Sequence, residues 1–455
     1  MTPYREEKDA MGAVQVPREA YYGAQTQRAV DNFPLSGLRL PPEFIRALAM
    51  IKQAAARTNA DLGLLPRDMA DAIARAAGEV IDGRLDDQFV VDVFQTGSGT
   101  STNMNMNEVL SSRANEILTG SKGGKAPVHP NDHVNMGQSS NDVIPTTIHV
   151  AAMIQLHERL RPALDGLQQV LEEKVLAFGD VRKIGRTHLQ DAVPMTLGDE
   201  FSGYARQIEL ARDRFSGLET RLAELALGGT AVGSGLNTHP EFAGRVIAAL
   251  NTATGLSFRE AANHYQAQAS QDTAVELSGA LKTLAVALVK IANDLRWLAS
   301  GPRCGLGEIA LPALQPGSSI MPGKVNPVIP EAVIQAAAQV MGNDTVIALS
   351  GQSGNFELNV MLPVTAYNLL QSLGLMAAAA GLLQRKCIAG ISANRERCAA
   401  NIEQSLALVT GLVPHIGYDR AAALAQEAYQ TGRTIRDIAR AHNLLDEETL
   451  DQALR

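Results

Sequence analysis

Phe201-Ser-Gly-Tyr204-Ala-Arg-Gln-Ile208-Glu-Leu-Ala211-Arg-Asp-Arg-Phe215-Ser-Gly-Leu218-Glu-Thr-Arg-Leu222-Ala-Glu-Leu225 places apolar residues in alternating steps of three and four. A second track repeats the beat at Leu277, Leu281, Leu284, Leu288, Ile291, Leu295 and Leu298. A third runs through Leu156, Leu160, Leu164, Leu167, Leu171 and Val175, mostly in steps of four. A mean step near 3.5 keeps one stripe facing a partner, which predicts long helices packed nearly parallel or antiparallel. Each track spans about 20 residues, or roughly 30 Å of rod. Ala211 is a weak knob, so ordinary amphipathic packing without a supercoil stays open, but either reading is all-α. Rods of this length expose stripes that one chain does not cover alone, so self-association is expected.

Working outward, 455 residues give a prior of about three domains. With 45% apolar and 19% charged residues the chain is an ordinary globular one rather than a disordered one. Aromatic residues make up only 4%, so the core must come from Leu, Val, Ile, Ala and Met. The net charge of −8 argues against nucleic acid as a partner, though not against a small anion, which needs only local donors. Cys304, Cys387 and Cys398 form no even framework, as expected in a reducing compartment. The N-terminal Met-Thr-Pro-Tyr4-Arg-Glu-Glu-Lys-Asp9 carries no apolar signal core, and the longest apolar run, Leu373 to Leu383, is shorter than the ~20 residues a bilayer takes. No membrane partner and a cytoplasmic location are therefore expected.

Between the helical tracks lie stretches rich in Gly, Pro, Ser, Asn and Thr: residues 95–107, 129–146, 185–198, 228–240 and 301–330. Loops on a rigid scaffold are where sites are built. Boundaries near Ser139 and Pro363 divide the chain into a small N-terminal domain (1–138), a central long-helix bundle (139–363) and a small helical C-terminal domain (364–455).

Gly317-Ser318-Ser-Ile-Met-Pro-Gly-Lys324-Val-Asn326-Pro-Val-Ile-Pro-Glu331 is the densest in chemistry. Its glycines let backbone N–H groups converge on an anion, Lys324 adds a point charge and Asn326 a fixed donor. Thr96-Gly-Ser98-Gly-Thr100-Ser-Thr-Asn103 looks like a phosphate cradle but lacks the Gly-Lys-Ser/Thr ending of a P-loop. Gly305-Leu-Gly-Glu-Ile-Ala310 matches a dinucleotide pattern loosely, yet follows Ser300-Gly-Pro-Arg rather than a strand, which speaks for chance. His129 and His133 have the spacing of a metal pair, but Pro130-Asn131-Asp132 reads as a turn and no third ligand is near, so no metal is expected. His188, in a polar loop with Thr187, Gln190 and Asp191, has the side chain best suited to proton transfer near neutral pH.

At these loops the chain resembles the fumarase/aspartase superfamily, and within it the class II fumarases. The likeness runs from Pro17-Arg-Glu-Ala-Tyr-Tyr-Gly-Ala-Gln-Thr-Gln27 to Pro414-His-Ile-Gly-Tyr-Asp419, with Gly317 to Pro327 similar to the superfamily signature. Thr187-His188-Leu-Gln, Met321-Pro-Gly-Lys324 and Gly351-Gln-Ser-Gly-Asn-Phe-Glu-Leu-Asn359 are fumarase-like. Val328-Ile-Pro-Glu331, Ala192-Val-Pro-Met195 and Asn135-Met136 look more like aspartate ammonia-lyase.

The resemblance implies a homotetramer with a helical core, each active site drawing loops from three subunits, and reversible hydration of fumarate to (S)-malate without a cofactor. It implies that Ser318 takes the carbon-bound proton. Lys324 and Asn326 stabilise the doubly charged aci-carboxylate that results. His188, paired with Glu331, protonates the departing hydroxyl. Ser98, Thr100, Ser139, Ser140, Asn141 and Thr187 would anchor the two carboxylates. A second anion site would lie at His129, Asn131 and Asp132, although Ala126 stands where relatives carry a basic residue. Three other readings remain open: an aspartate ammonia-lyase, a lyase of larger succinyl-bearing substrates, and a non-catalytic scaffold.

Overall fold

The computed structural model describes residues 4–454. Its long elements are the helices Pro42–Asp61, Thr100–Thr119, Leu197–Leu222, Asp272–Leu298, Val328–Gly351 and Leu362–Leu382. Another rod is the helix Ser140–Gln155, which passes through a wide turn at Leu156–Leu160 into Arg161–Ala177. All three apolar tracks fall on these rods. Their residues are buried, save the partly covered Val175 at the end of the third; only Leu225, also buried, lies off the rods, on a two-residue strand beyond its helix. The chain itself supplies the packing for these stripes. Val286, Trp297 and Leu349, on other faces of the rods, stand exposed.

Contacts group the chain into two compact units. One comprises residues 1–162, 212–285 and 336–377; the other comprises 163–211, 286–335 and 378–455. In the first, Pro42–Asp61 and Arg67–Ile81 pack against each other and against Thr100–Thr119, Ser140–Gln155 and Phe242–Thr254. In the second, Leu412, Leu424, Ile435, Ile438 and Leu450 build a small apolar core from the C-terminal helices, and Ile184 joins it.

Among the described residues the all-helical expectation missed five two-stranded pairings. The N-terminal one pairs Tyr4–Asp9 with Gly12–Pro17. The one with consequence pairs Arg182–Thr187 with Gln190–Thr196, inside the segment read as a polar loop. Its two-residue turn is His188-Leu189, both at positive φ (55° and 59°), a conformation usually advertised by Asn-Gly. Without that signal, and with Gly185 and Pro194 in its strands, the hairpin was hidden.

The helical segment Leu362–Gly390 is long and apolar enough to cross a membrane by length and composition, which a count of uninterrupted apolar residues did not reveal. Most of its apolar window (61%) is buried inside the fold, so core packing explains its character.

Candidate functional site

Two helix N-termini meet in the first unit. Gly99, left-handed at φ 74°, caps the helix Thr100–Thr119. Ser98 Oγ lies 2.7 Å from Thr100 Oγ1 across that cap. Gly97 allows the close approach on which this loop depends, because a Cβ there would sit 1.9 Å from the Val360 carbonyl oxygen. The second N-terminus is Ser139, which forms a capping box with Asp142 at the start of Ser140–Gln155. The two ends are tied by the Asn103 amide, which donates to Ser140 Oγ at 3.1 Å. Free backbone N–H groups and positive helix ends make such a junction a natural anion cradle. It brings together Ser98, Thr100, Ser139, Ser140 and Asn141. Asn141 also uses an amide hydrogen to hold the Ala231 carbonyl at 2.8 Å.

A buried polar network beneath the cradle escaped the sequence reading. The Asn135 side-chain oxygen accepts from Lys52 Nζ (3.0 Å), Asn103 Nδ2 (3.1 Å) and Asn107 Nδ2 (3.1 Å). Lys52 is fully buried; desolvation pushes its ammonium down to about 7, partly offset by the charge of Asp142. Burial likewise raises Asp142 to about 6, against backbone N–H bonds from Ser139, Thr230 and Gly228 that favour its ionised form. A signal existed: Lys52 sits on the same helical face as Leu48, Ala49 and Ala56, all buried, where a lysine is out of place. Replacing Lys52 with methionine removes the buried donor to Asn135, the residue that also receives Asn103 and Asn107. We expect a loss of about 2 kcal/mol in urea unfolding and a higher KM, because the cradle loosens.

In the second unit Gly317 to Asn326 closes on itself. The Gly317 N–H donates to the Lys324 carbonyl (2.8 Å), and Asn326 Nδ2 donates to the Gly317 carbonyl (2.6 Å). No side chain fits at this neck, since a Cβ on Gly317 would lie 2.5 Å from the Lys324 oxygen. Asn326, expected to face the reacting carboxylate, thus spends one amide hydrogen on shaping the loop. Ser318 Oγ accepts two backbone N–H bonds, from Met321 at 2.9 Å and Ile320 at 3.2 Å. Lys324 is exposed on the same loop. Glu331 stands in the first turn of Val328–Gly351.

His188 and Thr187 occupy the exposed tip of the hairpin. No hydrogen bond joins His188 to Glu331 among the described residues of the single chain, so the expected pairing is not made within it. At the expected second anion site His129 acts as a cap: its Nδ1 accepts from the Asn131 and Asp132 N–H groups, both at 3.2 Å. His133 Nδ1 accepts from the His129 N–H at 2.8 Å. Both rings thus commit a nitrogen to the local turn rather than to a common ligand. Among the described residues no group of three or more His, Cys, Asp or Glu is placed to hold a metal ion.

A lyase family model matches residues 12–342, and a model of the fumarase C C-terminus matches residues 408–455. A fumarate hydratase class II of Nitrosomonas europaea is 56% identical over 96% of this chain and 95% of its own length. One from Thermosynechococcus vestitus is 53% identical, over 100% of this chain and 97% of its own. The chain belongs to the class II fumarate hydratase family. A crystal structure of the class II fumarase from Schistosoma mansoni superposes with a TM-score of 0.96 at 42% identity, covering 100% of this chain and 98% of that one. The fold expected for a class II fumarate hydratase, a bundle of long helices, is therefore the fold found.

Proposed function

We propose that the chain catalyses the reversible, stereospecific hydration of fumarate to (S)-malate, with the site residues in the roles that follow. The substrate is a small dicarboxylate. When malate is dehydrated, a proton must leave a carbon beside a carboxylate, which places a second negative charge on that group. The chemical problem is to supply a strong base and to stabilise this growing charge without binding the ground state too tightly.

The observation that carries the reading is the pair of backbone N–H groups aimed at Ser318 Oγ. A serine hydroxyl is a poor base at its ordinary acidity. Two fixed N–H donors and the Lys324 charge on the same loop favour its alkoxide. Ser318 takes the carbon-bound proton, and Lys324 and Asn326 stabilise the aci-carboxylate. His188, which in the assembled tetramer pairs with Glu331 of another subunit, protonates the departing hydroxyl. Ser98, Thr100, Ser139, Ser140, Asn141 and Thr187 hold the carboxylates, and His129, Asn131 and Asp132 form a weak entrance site for anions. These roles use side chains and backbone alone.

The reading includes a homotetramer whose active sites each take residues from three subunits. It is supported by the apolar residues Ile320, Met321 and Val325, which stand exposed around the Ser318 loop. A cytoplasmic location accords with three unpaired cysteines. The test is hydration of fumarate in D2O followed by NMR. Malate labelled by one deuterium on one face of the methylene carbon is expected; absence of hydration, or label on both faces, contradicts the reading.

A further inference from the structure

The turn that carries His188 is held by an ion cluster that the chemistry above does not use. In the hairpin, Ala192 and Val193 together oppose the single residue Gly185, a bulge that adds local twist and re-aims the side chains beyond it. Gly185 allows the close approach, as a Cβ there would meet the Val193 carbonyl oxygen at 2.9 Å. The next residue, Arg186, meets Glu308 as a two-pronged fork, at 2.7 Å and 3.1 Å. Glu308 is wholly buried and has both oxygens saturated. Oε1 also accepts from Asn401 Nδ2 at 3.1 Å, and Oε2 lies 3.3 Å from Lys183 Nζ. Burial opposes ionisation of Glu308, but Arg186, Lys183 and Asn401 outweigh it and hold the carboxyl below its ordinary value. Lys183, itself buried, bonds Glu200 at 2.5 Å.

Buried ion pairs repay their desolvation poorly, so stability alone is a weak reason for this cluster. Its geometry offers a better one. Ile184 pins the base of the hairpin into the C-terminal apolar core. Beyond the bulge, Arg186 supplies the side-chain bonds that hold the tip. We propose that Glu308 is a positioning residue that, through the Arg186 fork, sets the orientation of the Thr187-His188 turn for proton transfer. This rests on the role given to His188 above. Proton transfer tolerates little misplacement, since about 1 Å of error costs on the order of 100-fold in rate.

The test uses the full-length protein and two variants. Arg186→Lys keeps the charge but loses the fork; Glu308→Gln keeps the shape but loses the charge. Steady-state fumarate hydration, thermal unfolding and amide hydrogen exchange are measured on each. For Arg186→Lys we expect kcat to fall on the order of 100-fold, with KM changed less than about threefold. Amides of residues 186–190 should exchange about tenfold faster, while the rest of the chain keeps its protection. Wild-type kcat in Arg186→Lys would overturn the proposal, as would exchange that rises evenly throughout both variants. Should the wild-type protein fail to hydrate fumarate, the functional reading falls. The exchange contrast then still decides whether Glu308 holds the turn.

Discussion

Ser318→Ala lowers kcat for malate dehydration by about 10³-fold or more and leaves binding of a saturated dicarboxylate such as succinate within about twofold. The split between turnover and binding follows from the environment of the oxygen. Ser318 Oγ lies 2.9 Å and 3.2 Å from two N–H donors that favour its charged form, so removing it removes the base and the purpose of those donors together. The fold has little stake in the hydroxyl. Ile320 and Met321 are exposed, so their N–H groups pass to water, and the neck of the loop is closed independently by Gly317, Lys324 and Asn326. Rapid-quench turnover and calorimetric titration with succinate check the two halves. A variant that turns over normally removes Ser318 from the mechanism; one that also loses succinate binding makes it an anchor instead.

Lys324→Met is the second large effect: kcat/KM falls on the order of 10³-fold, mostly in kcat, because the lysine acts on charge that appears only as the proton leaves. Its backbone carbonyl accepts the Gly317 N–H, and this bond survives any side-chain change. The loop should therefore keep its shape, and unfolding by urea should stay close to the wild type. Arg in the same place should rescue poorly, since a planar fork does not reproduce a compact ammonium. A rise in KM alone, with kcat preserved, would make Lys324 a ground-state binder.

The helical architecture was legible because a repeat near 3.5 over about 20 residues has one physical solution, a stripe that must be covered. The Gly317 to Glu331 loop stood out because so many hydrogen-bonding residues are concentrated at one connection, while its closed neck, Gly317 against Lys324 and Asn326, was visible only in three dimensions. What stayed hidden depends on contacts distant in sequence. The His188 hairpin has no conventional turn pair, and its strands are set by a bulge opposite Gly185. Glu308 lies in a glycine-rich stretch that only loosely matches a dinucleotide pattern, and its role as the buried partner of Arg186, 122 residues away, leaves no local signal. Lys52 is a lysine in an apolar helical stripe, and only its neighbours show what it supports. Asn103 is the end of a polar run in sequence, whereas in three dimensions it bridges two helix starts.

The most direct measurement offers purified protein (S)-malate and L-aspartate side by side and follows fumarate by its ultraviolet absorbance. The account predicts rapid fumarate formation from malate and essentially none from aspartate. Fumarate released from aspartate with ammonia, and not from malate, would contradict it.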